Sequence, residues 1–327
     1  MANKTAQNAT LDWVKTQLNP FSIHDIPVQV PERTLRRWLS EWVAQGVLQR
    51  TGARRSTRYQ YRQEASLPPF LQRVPSQHRG SLLKQLRDLW THTSTALEGN
   101  TLTLGDTHFI LEEGLTISGK PLKEHQEVVG HARAIELIYQ GLAGPLTEQR
   151  LFDLHRAVQT EVVTDIYKPS GAWKNEVNGT YVVTPDNQQV FIEYAVPSEV
   201  PPLMKELIAA INAAGEMSFD QAADCYARIH AGFVHIHPFW DGNGRLARLL
   251  ANIPLLKSGL PPLVIPLEER RAYIQLLAEY EIGVGQLNRR TGVWPNEAAL
   301  SEFSAFCAQQ YSLTMALLEK YSGQEDG

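Results

Sequence analysis

Twelve consecutive residues constrain this chain more than any other stretch: His237-Pro238-Phe239-Trp240-Asp241-Gly242-Asn243-Gly244-Arg245-Leu246-Ala247-Arg248. The run reads as a tight loop between two helices. Upstream, Ser218 and Gln221 form a Ser-x-x-Gln capping box, which opens a helix. Tyr226, Ile229, Phe233 and Ile236 then recur at steps of three and four and give that helix an apolar face. Pro238 ends it near His237, because the residue before a proline is disfavoured in the α region. Downstream, Leu246, Leu249, Leu250 and Ile253 mark a second buried helix that runs to Ser258-Gly259, with Pro261 beyond. Each polar member of the loop suits phosphate chemistry. An imidazole can take a proton from an attacking hydroxyl. A carboxylate can hold Mg²⁺ together with substrate phosphates. Glycines let backbone N–H groups crowd an anion at a helix N-terminus. Arg245 and Arg248, three apart on one face, can clamp terminal phosphates.

The run resembles the signature of the Fic family, His-x-Phe-x-(Asp/Glu)-Gly-Asn-Gly-Arg-x-x-Arg, with every fixed position filled. The resemblance implies transfer of AMP from ATP to a hydroxyl side chain of a protein. It assigns His237 as general base, Phe239 as the core anchor of the loop and Asp241 as the Mg²⁺ ligand. Gly242, Asn243 and Gly244 become the anion hole, and Arg245 and Arg248 the partners of the β- and γ-phosphates. Two other readings of these residues are disfavoured. His235 and His237 are two apart and do not share a helix face, so they make a poor zinc pair; His235 and His230 read as structural. No Gly-x-x-x-x-Gly-Lys-Ser/Thr phosphate loop occurs.

A second motif, Ser94-Thr95-Ala96-Leu97-Glu98-Gly99-Asn100, closes an apparent helix with a stripe of Leu82, Leu86, Leu89 and Leu97 and a terminal Gly99. It resembles the family's inhibitory motif, Ser/Thr-x-x-x-Glu-Gly/Asn. In that family the glutamate pairs with the second arginine of the signature, here Glu98 with Arg248, and Ser94 shares the face of Glu98. Such a pair removes the γ-phosphate's partner and sets negative charge where phosphate belongs. In some relatives the same glutamate serves removal of AMP, and the sequence leaves the direction open.

The chain has 327 residues, enough for two domains. Residues 1–64 read as a winged helix-turn-helix. Helices are expected over Thr10–Leu18 and Pro31–Ala44, the latter stopped by Gly46, and strands over Val47–Thr51 and Thr57–Tyr61. Arg33, Arg36 and Arg37 fall on or near the second helix; Arg50, Arg54, Arg55 and Arg58 arm the hairpin. That basic patch is the footprint of duplex DNA binding, with protein docking as the plainer alternative. Residues 65–80, with Leu67-Pro68-Pro69 and Val74-Pro75-Ser76, read as a linker. Residues 81–327 read as the Fic domain, a mainly α helical bundle. Its helices are expected over Thr103–Glu113, Lys120–Tyr139, Leu146–Val162 and Glu268–Glu281. Runs Val177–Val183 and Val190–Tyr194 around Thr184-Pro185-Asp186-Asn187 form a hairpin resembling the family's flap, which aligns a target segment by strand pairing. Tyr273 resembles the family's nucleotide-side tyrosine, and Tyr280 stands where many relatives carry asparagine.

Net charge is −4, so the chain as a whole is no general polyanion binder. Two cysteines suit a reducing, cytoplasmic compartment. No signal peptide or membrane span is expected. Two function classes remain. The first is a Mg²⁺-dependent adenylyltransferase using ATP on a protein hydroxyl, itself included, and inhibited by Glu98. The second is a DNA-binding regulator whose Fic core senses nucleotide, acts mainly on itself or removes AMP. A homodimer stays open for either.

Overall fold

The computed structural model describes residues 2–17, 20–27, 30–44, 47–52, 57–61, 68–159, 168–184 and 187–322. The chain divides into two compact units, Met1–Leu67 and Pro68–Gly327.

The first unit contains α1 (Ala2–Thr16), a 3₁₀ turn (Ile23–Asp25), α2 (Glu32–Ala44) and the antiparallel pair β1 (Leu48–Thr51) and β2 (Arg58–Tyr61). Helix α1 starts well before Thr10 because Ala2–Gln7, although without an apolar period, consists largely of residues that tolerate helix. Leu35, Trp38, Leu39 and Trp42 on α2 meet Val14, Phe21, Ile26, Leu48 and Tyr59 in one core. Phe21 exchanges both backbone hydrogen bonds with Tyr59, at 2.9 and 2.8 Å, and adds a third short edge to the hairpin. Leu18, Gly46, Arg54 and Arg55 lie outside the described residues.

The second unit is helical. Helix α3 (Ser76–Leu97) is followed by α4 (Leu104–Glu113), α5 (Leu122–Gly141), α6 (Glu148–Val158) and the hairpin of β3 (Gly179–Val183) and β4 (Gln189–Glu193). Then come α7 (Val200–Ala213), α8 (Phe219–Ile236), α9 (Asn243–Leu250), α10 (Asn252–Lys257), α11 (Arg270–Val284) and α12 (Ser301–Ser322). Helix α8 is the axis, packed against α7, α9, α10 and α12. From Ile229 to Ile236 it is buried nearly all round, while Phe219, Asp220, Gln221 and Asp224 in its first half stay exposed. A Cβ on Gly232 would lie 2.7 Å from Val293 and 2.8 Å from Trp294, so glycine is what lets these elements approach.

Three readings of the sequence change here. Pro69–Arg73, expected in a linker, forms a 3₁₀ turn whose Phe70 and Leu71, with Val74 beyond it, are buried in this unit's core; residues 62–67 are not described. The buried stripe of α3 runs through Leu82, Leu86 and Trp90 at steps of four, leaving Leu89 half-buried. The single helix expected after the loop is two, α9 and α10, parted at Ala251. Pro254 has no N–H to give the Leu250 carbonyl, and Asn252 takes over the junction. Its Nδ2 donates to Arg248 O and Leu263 O, both at 2.9 Å, and its Oδ1 accepts from Leu263 N at 2.7 Å. Asn252→Ala is expected to lower stability by about 3 kcal/mol, since it strands buried backbone groups. A urea melt reads this; a loss below about 1 kcal/mol would contradict it.

In the hairpin, Gly179 pairs with Glu193 and Val183 with Gln189. Alternation turns Ile192 and Val182 inward, while Tyr181, Val183 and Phe191 face solvent, with the Tyr181 and Phe191 rings 4.9 Å apart. Pro185 and Asp186 of the turn lie outside the described residues, as do residues 160–167 after α6.

Candidate active site

The loop between α8 and α9 begins with a strained histidine. Pro238 keeps His237 out of the right-handed helical region, and His237 adopts φ 51° and ψ 59°. Such a conformation is uncommon for a residue with a Cβ and marks a place where the surroundings over-determine the backbone. His237 Nδ1 lies 3.0 Å from Val234 O. A carbonyl only accepts, so Nδ1 carries the hydrogen and Nε2 keeps its lone pair. Burial, then the nearby Lys174 charge, pushes the imidazole pKa down to about 3, so the ring is neutral at physiological pH.

Phe239 is fully buried. Its backbone is stapled by Asn243, whose Oδ1 accepts from Phe239 N at 3.0 Å and whose Nδ2 donates to Phe239 O at 2.8 Å. The Asn243 side chain is thus consumed within the loop, and its contribution to an anion seat is confined to its backbone. Gly242 has φ 80°, which suits glycine alone at low cost. The first N–H groups of α9 have no partner within the helix, so this end attracts negative charge.

Arg245 and Arg248 are buried and diverge. Arg245 donates to Val158 O at 3.0 Å and stands 3.4 Å from Asp241 Oδ2; its Nε has no partner among the described residues. Arg248 turns to α3. Its Nε donates to Ser94 Oγ at 2.9 Å, its Nη2 to Ser94 O at 2.8 Å and Glu98 Oε1 at 2.7 Å, and its Nη1 to Tyr273 OH at 3.0 Å. Burial alone would lower its pKa, but the Tyr273 and Glu98 partners outweigh burial and hold it raised. Helix α3 ends in a Schellman turn, with Asn100 N bonded to Thr95 O and Gly99 N to Ala96 O. That turn presents Glu98 toward α9. A carboxylate at a helix C-terminus is opposed by the dipole; here Arg248 and the first turn of α9 compensate. A Cβ on Gly244 would lie 2.2 Å from Glu98 Oε1 and 3.2 Å from Arg248 Nη1. The carboxylate therefore rests directly on the Gly244 backbone.

Asp241 is half-exposed, with a carboxylate whose only close ion pair among the described residues is the long one to Arg245. Among the described residues no group of three or more His, Cys, Asp and Glu side chains forms a metal cage. One accessible carboxylate beside an anion seat suits Mg²⁺, which takes one or two carboxylates and completes its shell with phosphate and water. Tyr273 is buried, and its hydroxyl also lies 3.0 Å from His230 Nε2. Burial pushes its pKa up to about 12. Tyr280 sits two turns further along α11, buried against His235 with an unpartnered hydroxyl, away from the Arg248 network.

Four contributors carry no local signal in the sequence. His155 on α6 stacks on Phe239, with centroids 3.9 Å apart and planes at 8°, accepts from Gly171 N at 2.8 Å, and lies with Nε2 3.2 Å from Asp241 O. Lys174 and Asn178, before the hairpin, hold the carbonyls of Pro238 and Phe239: Lys174 N donates to the first at 2.9 Å and Asn178 Nδ2 to the second at 3.1 Å. Tyr194, after the hairpin, lies on His237. Each is a lone residue made significant by elements distant in the chain.

Residues 145–255 match the Fic/DOC family model. The chain is 32% identical over 216 residues to protein adenylyltransferase fic-1 of Caenorhabditis briggsae, covering 63% of this chain and 40% of that protein. It is 34% identical over 186 residues to protein adenylyltransferase Fic of Drosophila persimilis, covering 56% and 34%. Among solved structures, a Fic domain containing signaling protein from Bacteroides thetaiotaomicron superposes with TM-score 0.65 at 27% identity, over 79% of this chain and 97% of that one. Fic-1 from C. elegans superposes with TM-score 0.50 at 28% identity, over 76% and 66%. Residues 145–255 thus match a Fic/DOC domain, and the second unit has the fold of solved Fic proteins. The chain spans 40% or less of the length of the two curated relatives.

Proposed function

We propose that this protein is a Mg²⁺-dependent protein adenylyltransferase held in a self-inhibited state by Glu98. The observation that carries the reading is the seat of the Glu98 carboxylate. It occupies a place where a helix N-terminus, the bare Gly244 backbone and a buried arginine converge on an anion. A nucleotide phosphate is the anion for which such a seat is built, and the Glu98 carboxylate stands in for it. Named adenylyltransferases among the relatives supply the donor, ATP.

In the reaction, a protein hydroxyl oxygen attacks the α-phosphorus of ATP while His237 Nε2 accepts its proton. The bond from the α-phosphorus to the bridging oxygen breaks, and pyrophosphate leaves. Backbone N–H groups at Gly242–Gly244 hold phosphate oxygens, and Arg248 and Arg245 hold the outgoing phosphates. Asp241 would hold Mg²⁺, which supplies charge neutralisation of the triphosphate when bound. ATP labelled on the α-phosphate is expected to label a protein acceptor, or the enzyme itself, whereas ATP labelled on the γ-phosphate leaves it unlabelled. Transfer of the γ-label would make the enzyme a phosphotransferase instead.

We also propose that the first unit is a winged-helix module that binds duplex DNA. Arg33, Arg36, Arg37, Arg50 and Arg58 are all exposed, although Arg36 and Arg37 pair with Glu32 and Glu41 on their own helix. Binding of the Met1–Leu67 unit to a duplex is expected to weaken about tenfold or more between 50 and 200 mM salt. Salt-independent or absent binding would leave protein docking as the module's role. Among the described residues no helix is long and apolar enough to cross a membrane, and Cys225 and Cys307 are free thiols. A reducing cytoplasm is the compartment proposed.

A further inference from the structure

We infer that Tyr194 is a positioning residue for His237, deepening the adenylyl-transfer reading on which it rests. Tyr194 follows β4 and is 5% exposed. Its ring lies flat on the His237 imidazole, with centroids 3.8 Å apart and planes within 5°. At this separation the two ring faces are in van der Waals contact.

The surroundings account for it. Tyr194 N donates to Asn178 O at 3.2 Å, and Gln286 Nε2 donates to Tyr194 O at 3.1 Å, which pins the backbone from both sides. The Lys174 ammonium stands 5.9 Å from the Tyr194 ring centroid and is itself held by Asn178 Oδ1 at 2.5 Å. Asn178 Nδ2 in turn donates to Phe239 O in the loop that His237 begins. Lysine, tyrosine and histidine thus form one assembly, tied at both ends to the catalytic loop.

This assembly does what the loop alone does not. The bond from Nδ1 to Val234 O selects the tautomer and restrains one edge of the ring. It leaves the ring free to tilt about that contact. A flat neighbour removes the tilt while leaving the Nε2 edge uncovered. A proton acceptor held in one direction loses less orientational freedom at the moment of reaction. The residue that supplies this constraint is carried by the hairpin, so the element with the exposed Tyr181 and Phe191 face also sets the plane of the base.

The test uses the full chain with Glu98→Gly. Tyr194→Leu keeps apolar bulk and removes the flat face; Tyr194→Phe keeps the face and removes the hydroxyl. With Leu, kcat for self-labelling is expected to fall about thirtyfold with KM for ATP within about threefold, and Phe is expected to recover most of the loss. A second readout needs no turnover. In ¹⁵N-histidine spectra, the resonances that vanish in His237→Ala should be sharp in the parent and broadened by ring reorientation in Tyr194→Leu, with the Nδ1-protonated tautomer set by Val234 O kept in both. An unchanged kcat in Leu, a Phe variant as slow as Leu, or His237 resonances as sharp in Leu as in the parent would each overturn the assignment. If the Glu98→Gly parent transfers no AMP at all, the adenylyltransferase reading fails, and the spectra alone then decide the role of Tyr194.

Discussion

Glu98→Gly is expected to raise self-labelling from α-labelled ATP by at least about tenfold, the equivalent of about 1.4 kcal/mol in the barrier. Adding His237→Ala should return it to background. The size of the effect follows from the contacts of Arg248. Both N–H groups of Nη2 are engaged, one by Ser94 O and one by Glu98 Oε1. Removing the glutamate frees one donor of a buried guanidinium and empties the space over Gly244. Ser94 and Tyr273 still hold the arginine in place, so the cradle keeps its shape while losing its occupant. A triphosphate then gains a charge-assisted hydrogen bond and no longer meets a carboxylate of like charge. The Glu98 side chain is 43% exposed and caps the end of a helix, so the variant should remain folded, with at most a modest drop in Tm. His237→Ala removes the proton acceptor without touching the anion seat; its expected signature is lost transfer with retained ATP binding. Unchanged labelling in a folded, ATP-binding Glu98→Gly variant would exclude glutamate inhibition.

The second large effect is on stability in acid. Five imidazoles are held far below their ordinary pKa by burial, and His92 less far: His155 and His235 stand at about 4, His237 at about 3, and His131 and His230 well below the usual value. Each of the five stays neutral in the folded chain, while in the unfolded chain it takes up a proton near pH 6.5. Their contribution is therefore intact above about pH 6.5 and is lost as pH falls toward the folded values. Well below pH 6.5 each costs about 1.4 kcal/mol per pH unit. Glu281 works the other way. Burial raises its carboxyl to about 8, so between that value and about 4.5 the folded state holds one proton more than the unfolded, and acid favours folding by that one group. Four protons net remain, or about 5 kcal/mol per pH unit at full effect, against a total stability of about 5–15 kcal/mol. The urea midpoint should drop steeply between pH 6.5 and 5 at a constant slope. A midpoint unchanged over that range would mean that these rings are solvated in the folded state.

Much of the site was legible because it is local. The Ser218 and Gln221 cap, the period of α8, the proline stop and the glycines before α9 act over a few residues, and the elements stand where those signals put them. Gly99 likewise ends α3 and presents Glu98. Pro254 was also visible, yet the apolar period across it suggested a single helix; the missing N–H decided otherwise. Residues around Pro69 were misjudged as linker because proline density was weighed above the apolar Phe70, Leu71 and Val74, which are buried.

The sequence by itself determined where α8 begins and stops, that α3 ends at Glu98-Gly99, and which residues make the loop between α8 and α9, because caps, prolines and apolar periods act within a turn or two of backbone. Only the tertiary structure decided that Arg248 turns to Ser94 and Glu98 while Arg245 turns to Val158 and Asp241, that the Asn243 side chain is consumed by Phe239, and that His155, Lys174 and Tyr194 close around the loop. Phe239 and Asp241 lie four residues from the side chains they meet, but the other partners lie tens to more than a hundred residues away. Their meeting depends on how whole helices and a hairpin pack, which no single window of residues encodes.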